Sequence, residues 1–194
     1  MLIVFMLRFF YFIFYFIKYR RFLKKYLTSS LYSSNVLIDV SPYYLRKIGI
    51  KVLILDFDGV LSSYGETYVL INDVLFWLKF SLEIYTFENI FIFSNNMTKS
   101  RNLLLNKIGI NMVINRAKKK PYPDAIISIL YYKNLLYHEI IMVDDRIFTG
   151  ILAAELANIR GLFIISPYYN LKDNFLKEFF YIILRKIERF VLFI

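Results

Sequence analysis

The sequence predicts an α/β fold in which helices cover both faces of a parallel sheet in three layers. Three observations carry this expectation. Short runs of uninterrupted apolar residues recur along the chain, and unbroken aliphatic stretches of this length mark strands buried on both faces. Segments of helical length separate them, and alternation at that spacing favours parallel strands with crossover helices. The 194 residues are enough for one such domain with a sizeable core and too few for two.

The elements follow in order. Val40 to Gly49 reads as a short helix, with Ser41 as its cap, Pro42 in the first turn and Gly49 as its stop. Lys51 to Leu55 is the first strand. Asn72 to Phe80 is helical, and Asn89 to Phe93 is the second strand. Thr98 to Lys107 is a helix stopped by Gly109, leading to a third strand at Met112 to Ile114. A helix over Pro123 to Tyr132 precedes a fourth strand at Ile140 to Val143, and one over Phe148 to Asn158 precedes a fifth at Leu162 to Ile165. Asn174 to Phe193 closes the domain as an amphipathic helix.

The most informative residues sit where the first strand ends. In Leu55-Asp56-Phe57-Asp58-Gly59 two carboxylates are spaced two apart, so on an extended chain both face the crevice at the carboxyl end of the sheet. Unpaired carboxylates there are costly, and a divalent cation relieves the cost. Three further signals follow. Phe91-Ile92-Phe93 runs into Ser94-Asn95-Asn96, Lys118-Lys119-Lys120 precedes Pro121, and Ile140 to Val143 ends in Asp144-Asp145.

These four motifs, in this order, resemble those of the haloacid dehalogenase (HAD) superfamily of aspartate-nucleophile phosphatases, over residues 35–194. The resemblance implies a HAD-like Rossmannoid three-layer α/β/α sandwich. It casts Asp56 as the nucleophile that forms an aspartyl-phosphate, and Asp58 as general acid and then base. It gives Ser94 a hydrogen bond to a phosphoryl oxygen, with the Asn95 amide beside it; a helix-capping role for Ser94 is compatible. Lys120 would neutralise the nucleophile and the transferring group. Mg2+ is the implied cofactor, with Asp56, Asp58, Asp145 and Asp144 as its candidate ligands. Here the sequence departs from the pattern: Asp144 stands where relatives often have glycine, and Gly150 where they often have aspartate. Which of the two adjacent acids touches the metal is therefore open.

Spacing narrows the substrate. About 35 residues separate Asp58 from Ser94 and about 25 separate Ser94 from Lys120, too few for a cap domain beyond the framework elements. A capless site is open and suits a phosphate carried on a large molecule. The segment from Ile38-Asp39-Val40 to Gly49-Ile50-Lys51, the Ser94-Asn95-Asn96 triplet and the closing Arg185-Lys186-Ile187-Glu188-Arg189 resemble the IIIA subfamily of YqeG-type phosphatidylglycerophosphate phosphatases. The expected reaction is removal of the terminal phosphate from phosphatidylglycerophosphate to give phosphatidylglycerol, so the expected partner is an anionic phospholipid head group. The final helix also fits an ordinary amphipathic helix packed on the sheet.

Charge and hydropathy favour a membrane partner. Residues 1–17 are apolar except for Arg8, no acid precedes Asp39, and Lys18, Arg20, Arg21, Lys24 and Lys25 follow the apolar run. Arg8 at the centre of a bilayer would cost about 2.5–3.5 kcal/mol, a cost that a helix lying in the interface avoids. Residues 1–27 are thus expected to be a membrane-associating segment, spanning or interfacial, that contributes nothing to the chemical step; a buried helix capping the domain is the alternative. Residues 28–194 then form the phosphatase domain, on the cytoplasmic side by the position of the bases. Outside residues 1–27, 19 basic residues face 15 acidic ones, too small an excess for a nucleic-acid footprint. With no cysteine, thiol chemistry and disulfides are excluded. Two other readings stay open: a capless phosphatase for a soluble phosphosugar or nucleic-acid end, and a non-catalytic membrane-bound binding protein on the same scaffold.

Overall fold

The computed structural model describes residues 2–64, 66, 71–114 and 118–194, with residues 2–5 as backbone only. Met1, the first residue of the expected apolar segment, lies outside them. Six parallel strands form one sheet: β1 (Ser33–Ser34), β2 (Val52–Leu55), β3 (Ile90–Ile92), β4 (Met112–Val113), β5 (Ile140–Asp144) and β6 (Arg160–Ile164). Their order across the sheet is β1-β6-β5-β2-β3-β4, so β2 and β5 are adjacent at its centre. The three-layer α/β expectation holds.

The central strands are apolar throughout because both faces are covered. On one face Leu53, Leu55, Ile90, Ile92, Ile141 and Val143 pack under α3 (Pro42–Lys47) and α4 (Asn72–Tyr85). On the other, Ile54, Phe91 and Met142 meet α6 (Asp124–Lys133) and α7 (Leu152–Leu156). The expected cap Ser41 accepts the Tyr44 amide through Oγ, and at the start of α5 (Lys99–Lys107) Thr98 Oγ1 accepts the Arg101 amide. Among the described residues, the stretch from Asp58 to Ser94 holds one long helix, a 3-10 turn and β3, the stretch from Ser94 to Lys120 holds one helix and β4, and neither holds a cap domain.

Three parts differ from expectation. The edge strand β1 was not foreseen; it pairs with β6 through Ser33 and Ser34. The helix expected over residues 148–158 begins instead as a π-helical turn, Ile147–Ile151, and only then becomes α7. The largest difference concerns residues 1–27, expected to be a membrane-associating segment with a helix capping the domain as the alternative. They form α1 (Leu2–Leu23) and α2 (Lys25–Thr28) and pack on the domain. Phe16, Leu23 and Tyr26 are buried with Ile147, Ile151, Leu152, Phe163 and Leu192 of α8 (Phe175–Phe193). Tyr26 also donates to Glu155 at 2.6 Å. The physical reason is the spacing of Phe12, Phe16, Tyr19 and Leu23, which gives α1 an apolar stripe that the domain covers.

Candidate active site

The four sequence motifs converge at the carboxyl ends of β2, β3 and β5. Asp56 follows β2, and its Oδ1 lies 2.9 Å from Lys120 Nζ. The same ammonium lies 2.5 Å from Asp144 Oδ2 at the tip of β5. Asp56, Asp144 and Asp145 each offer an oxygen within 4.8 Å of the others, and all three are buried. Asp58 opens on the same cleft, but both its oxygens are taken by Arg101, at 2.9 and 2.6 Å. Asp145 receives Arg185 Nη1 of α8 at 2.7 Å and the Tyr64 hydroxyl.

The loops that carry these groups are pinned to one another. The Lys120 amide donates to Asn95 Oδ1 at 2.8 Å, and Asn95 Nδ2 returns a bond to the Lys120 carbonyl. Ser94 Oγ accepts from the Asn96 amide, while the cap of the following helix is Thr98. Ser94 therefore lines the cleft without capping that helix. The Lys120 carbonyl also receives the Arg8 guanidinium, through Nε at 2.9 Å and Nη2. Helix α1 is thus in contact with a predicted catalytic loop.

Two glycines make the acid cluster possible. Gly59 has φ +81, and a Cβ there would lie 2.5 Å from Asp145 Oδ2. A Cβ on Gly150 would lie 1.8 Å from Asp144 Oδ2. The departure in the fourth motif has a physical account: positions 144 and 150 share one volume, and here Asp144 fills it.

Four carboxylates, Asp56, Asp58, Asp144 and Asp145, meet three cations, Lys120, Arg101 and Arg185. Arg146 is spent on Glu188, which also accepts the Ile147 amide at the start of the π-turn. Burial raises Asp56 to about 7, with Lys120 opposing the shift and Asp144 and Asp58 adding to it. Burial likewise raises Asp144 and Asp145 to about 6, against Lys120 and Arg185 respectively. Burial disfavours the Lys120 ammonium, yet Asp144 and Asp56 outweigh it and its pKa is raised. An all-oxygen set with an excess negative charge and raised carboxyl pKa values suits a hard divalent cation. Asp56, Asp144 and Asp145 could hold it.

Above this floor is a cleft of about 710 Å³ whose walls are mostly apolar: Phe9 and Phe12 of α1, Phe148, and Phe180, Leu184 and Ile187 of α8. Arg101, Tyr64 and the inward role of Arg185 were not foreseen. Arg101 is one base among several on a polar helix, and Tyr64 stands in a loop with no periodic pattern. The Arg185 to Arg189 stretch did stand out as a resemblance, without partners to assign.

A sequence model of the mitochondrial PGP phosphatase family matches residues 19–167. A search of curated proteins returned no match. Among solved structures, an uncharacterized protein from Listeria monocytogenes serotype 4b superposes with a TM-score of 0.50 at 19% identity, covering 64% of this chain and 84% of that one. An uncharacterized protein from Corynebacterium glutamicum gives 0.44 at 20% identity, over 71% and 96% of the two chains. A HAD family hydrolase from Deinococcus radiodurans, solved with bound phosphate and sodium, gives 0.39 at 14% identity, over 63% and 84%.

Proposed function

Because the chain belongs to the mitochondrial PGP phosphatase family, we propose that it converts phosphatidylglycerophosphate to phosphatidylglycerol at a membrane surface. It is a HAD-type phosphatase, a phosphoric monoester hydrolase. The observation that carries the lipid reading is the two-part cleft, with a charged floor for a phosphomonoester and aromatic and aliphatic walls for apolar chains. Among the described residues no helix is long and apolar enough to cross a membrane.

In the proposed reaction the Asp56 carboxylate attacks phosphorus as the bond to the glycerol oxygen breaks. Asp58 protonates that oxygen, and its pair with Arg101 must open for the carboxyl to reach it. A water, deprotonated by Asp58, then attacks the aspartyl-phosphate; the phosphorus–Asp56 bond breaks and inorganic phosphate leaves. Lys120 holds Asp56 in place and offsets the charge of the phosphoryl oxygens, and the Ser94 hydroxyl donates to one of them. Magnesium, held by Asp56, Asp144 and Asp145, would supply further positive charge at these oxygens.

The test is phosphate release from phosphatidylglycerophosphate in mixed micelles, compared with a panel of soluble phosphoesters. A clear preference for the lipid is expected. Equal or faster release from a phosphosugar or a nucleic-acid end would overturn the lipid assignment while leaving the phosphatase.

A further inference from the structure

Helix α8 is amphipathic, but it sits the opposite way round from a helix of a water-exposed surface. Its charged side faces the protein. Glu178 is fully buried and accepts the Tyr64 and Asn170 amides at 2.8 and 2.9 Å. Arg185 reaches Asp145, and Glu188 holds Arg146 and the Ile147 amide. Buried charges that are paired in this way cannot be turned out without leaving their partners unpaired, so the orientation of the helix is fixed. Its outward stripe is then apolar: Leu176, Phe179, Ile183, Ile187, Phe190 and Ile194 recur every three or four residues and are all exposed, Leu176 at 81% and Phe190 at 66%.

Helix α1 repeats the pattern. Leu7, Phe10, Phe14 and Ile17 form an exposed stripe with the same spacing, opposite the residues that dock on the domain. The cleft opens between the two helices, with Phe9 and Phe12 on one side and Phe180 and Ile187 on the other. The charge that remains exposed on them is of one sign. Lys18 and Arg21 on α1 and Lys177 and Lys186 on α8 are exposed, α1 has no acid, and both acids of α8 are buried.

We infer that the outward faces of α1 and α8 form one docking surface for an anionic phospholipid bilayer, with the mouth of the cleft pressed against the lipid. Apolar side chains enter the acyl boundary while the bases meet lipid phosphates. A second copy is a poor occupant, because two such faces would bring bases together with no exposed acid on either helix to pair them. The inference rests on the proposed lipid phosphatase for the substrate in the cleft, but not for the docking itself.

The test uses the full chain and sedimentation with vesicles of phosphatidylcholine, with and without phosphatidylserine, a lipid that carries no phosphomonoester. Leu176→Glu with Phe190→Glu changes two highly exposed positions outside the cleft. Vesicle binding should fall at least about tenfold, while the rate on a soluble short-chain phosphoester stays at the parent value. Tyr132→Glu, a change at an exposed aromatic on α6, should leave binding unaltered. Binding by the parent that is indifferent to phosphatidylserine, or to the α8 double change, overturns the inference. So does a parent that ignores vesicles but forms a dimer that the double change dissolves. Docking as described together with no release from phosphatidylglycerophosphate would remove the substrate assignment and leave the surface standing.

Discussion

Strands β2 and β5 are hydrogen-bonded neighbours that both end in two acids, and they hold those acids by different means. After β2 the carboxylates are two residues apart with buried Phe57 between them; Arg101 holds Asp58, while Asp56 shares Lys120 with Asp144 of β5. After β5 they are consecutive, a spacing that would point them to opposite faces of a continued strand. Both reach the site because the chain leaves the strand at Asp145 for the π-turn, and because Gly59 and Gly150 leave room. The β2 acids are placed by extended-chain geometry. The β5 acids are placed by two missing side chains.

The largest effect should come from the β2 side. Asp56→Asn keeps the shape and removes the attacking charge, so the rate should fall on the order of a thousandfold or more with folding intact. Activity within about tenfold of the parent, a barrier change of only ~1.4 kcal/mol, would take the nucleophile away from β2.

Arg101→Ala leaves Asp58 buried without its partner. A loss of about 3 kcal/mol in unfolding free energy is expected, recovered in part when Asp58→Asn is added. A double variant no more stable than Arg101→Ala would show that Asp58 is not what the arginine holds.

The β5 side should break through a single methyl group. Gly150→Ala places a carbon in the volume of the Asp144 carboxylate. Displacing that group from Lys120 should lower kcat/KM about tenfold to a hundredfold. Asp144→Gly combined with Gly150→Asp returns an acid to the same space from the other side, and should recover more activity than either single change. If the combination is as poor as the worse single variant, the two positions do not share one volume.

The smallest effect is on pH dependence. Asp56 at about 7 and Asp144 and Asp145 at about 6 all lie above the ordinary 3.8. In the metal-free protein the folded state keeps protons that the unfolded chain gives up. Their contribution to stability is therefore full below the unfolded value and is lost as pH rises through about 6 to 7. With chelator present, Tm should be lower at about pH 7.5 than at about pH 5, and added magnesium should raise it more at the higher pH. A chelated protein whose Tm rises across that window would mean that these acids are ionised without strain.

The catalytic strands were legible because strands buried on both faces must be apolar without interruption, and because acids two apart on a strand share a side. The helix cap at Ser41 was legible for an equally local reason, whereas the cap of α5 is Thr98 and not Ser94. What escaped depends on distance in the chain. Ser33 and Ser34 join the sheet by backbone bonds alone, which no side-chain pattern records. Arg101 and Tyr64 gain their meaning from Asp58 and Asp145, 43 and 81 residues away. The period of α8 was plain, but a period separates two faces without saying which is turned inward; Asp145 and Arg146, just past the end of β5, decide that.

Helix α8 follows all six described strands in the sequence, yet the site draws on it twice. Arg185 is the partner of Asp145, and Phe180, Leu184 and Ile187 form one wall of the cleft. A disturbance that loosens this one helix would therefore reach the charge balance of the floor and the apolar wall together.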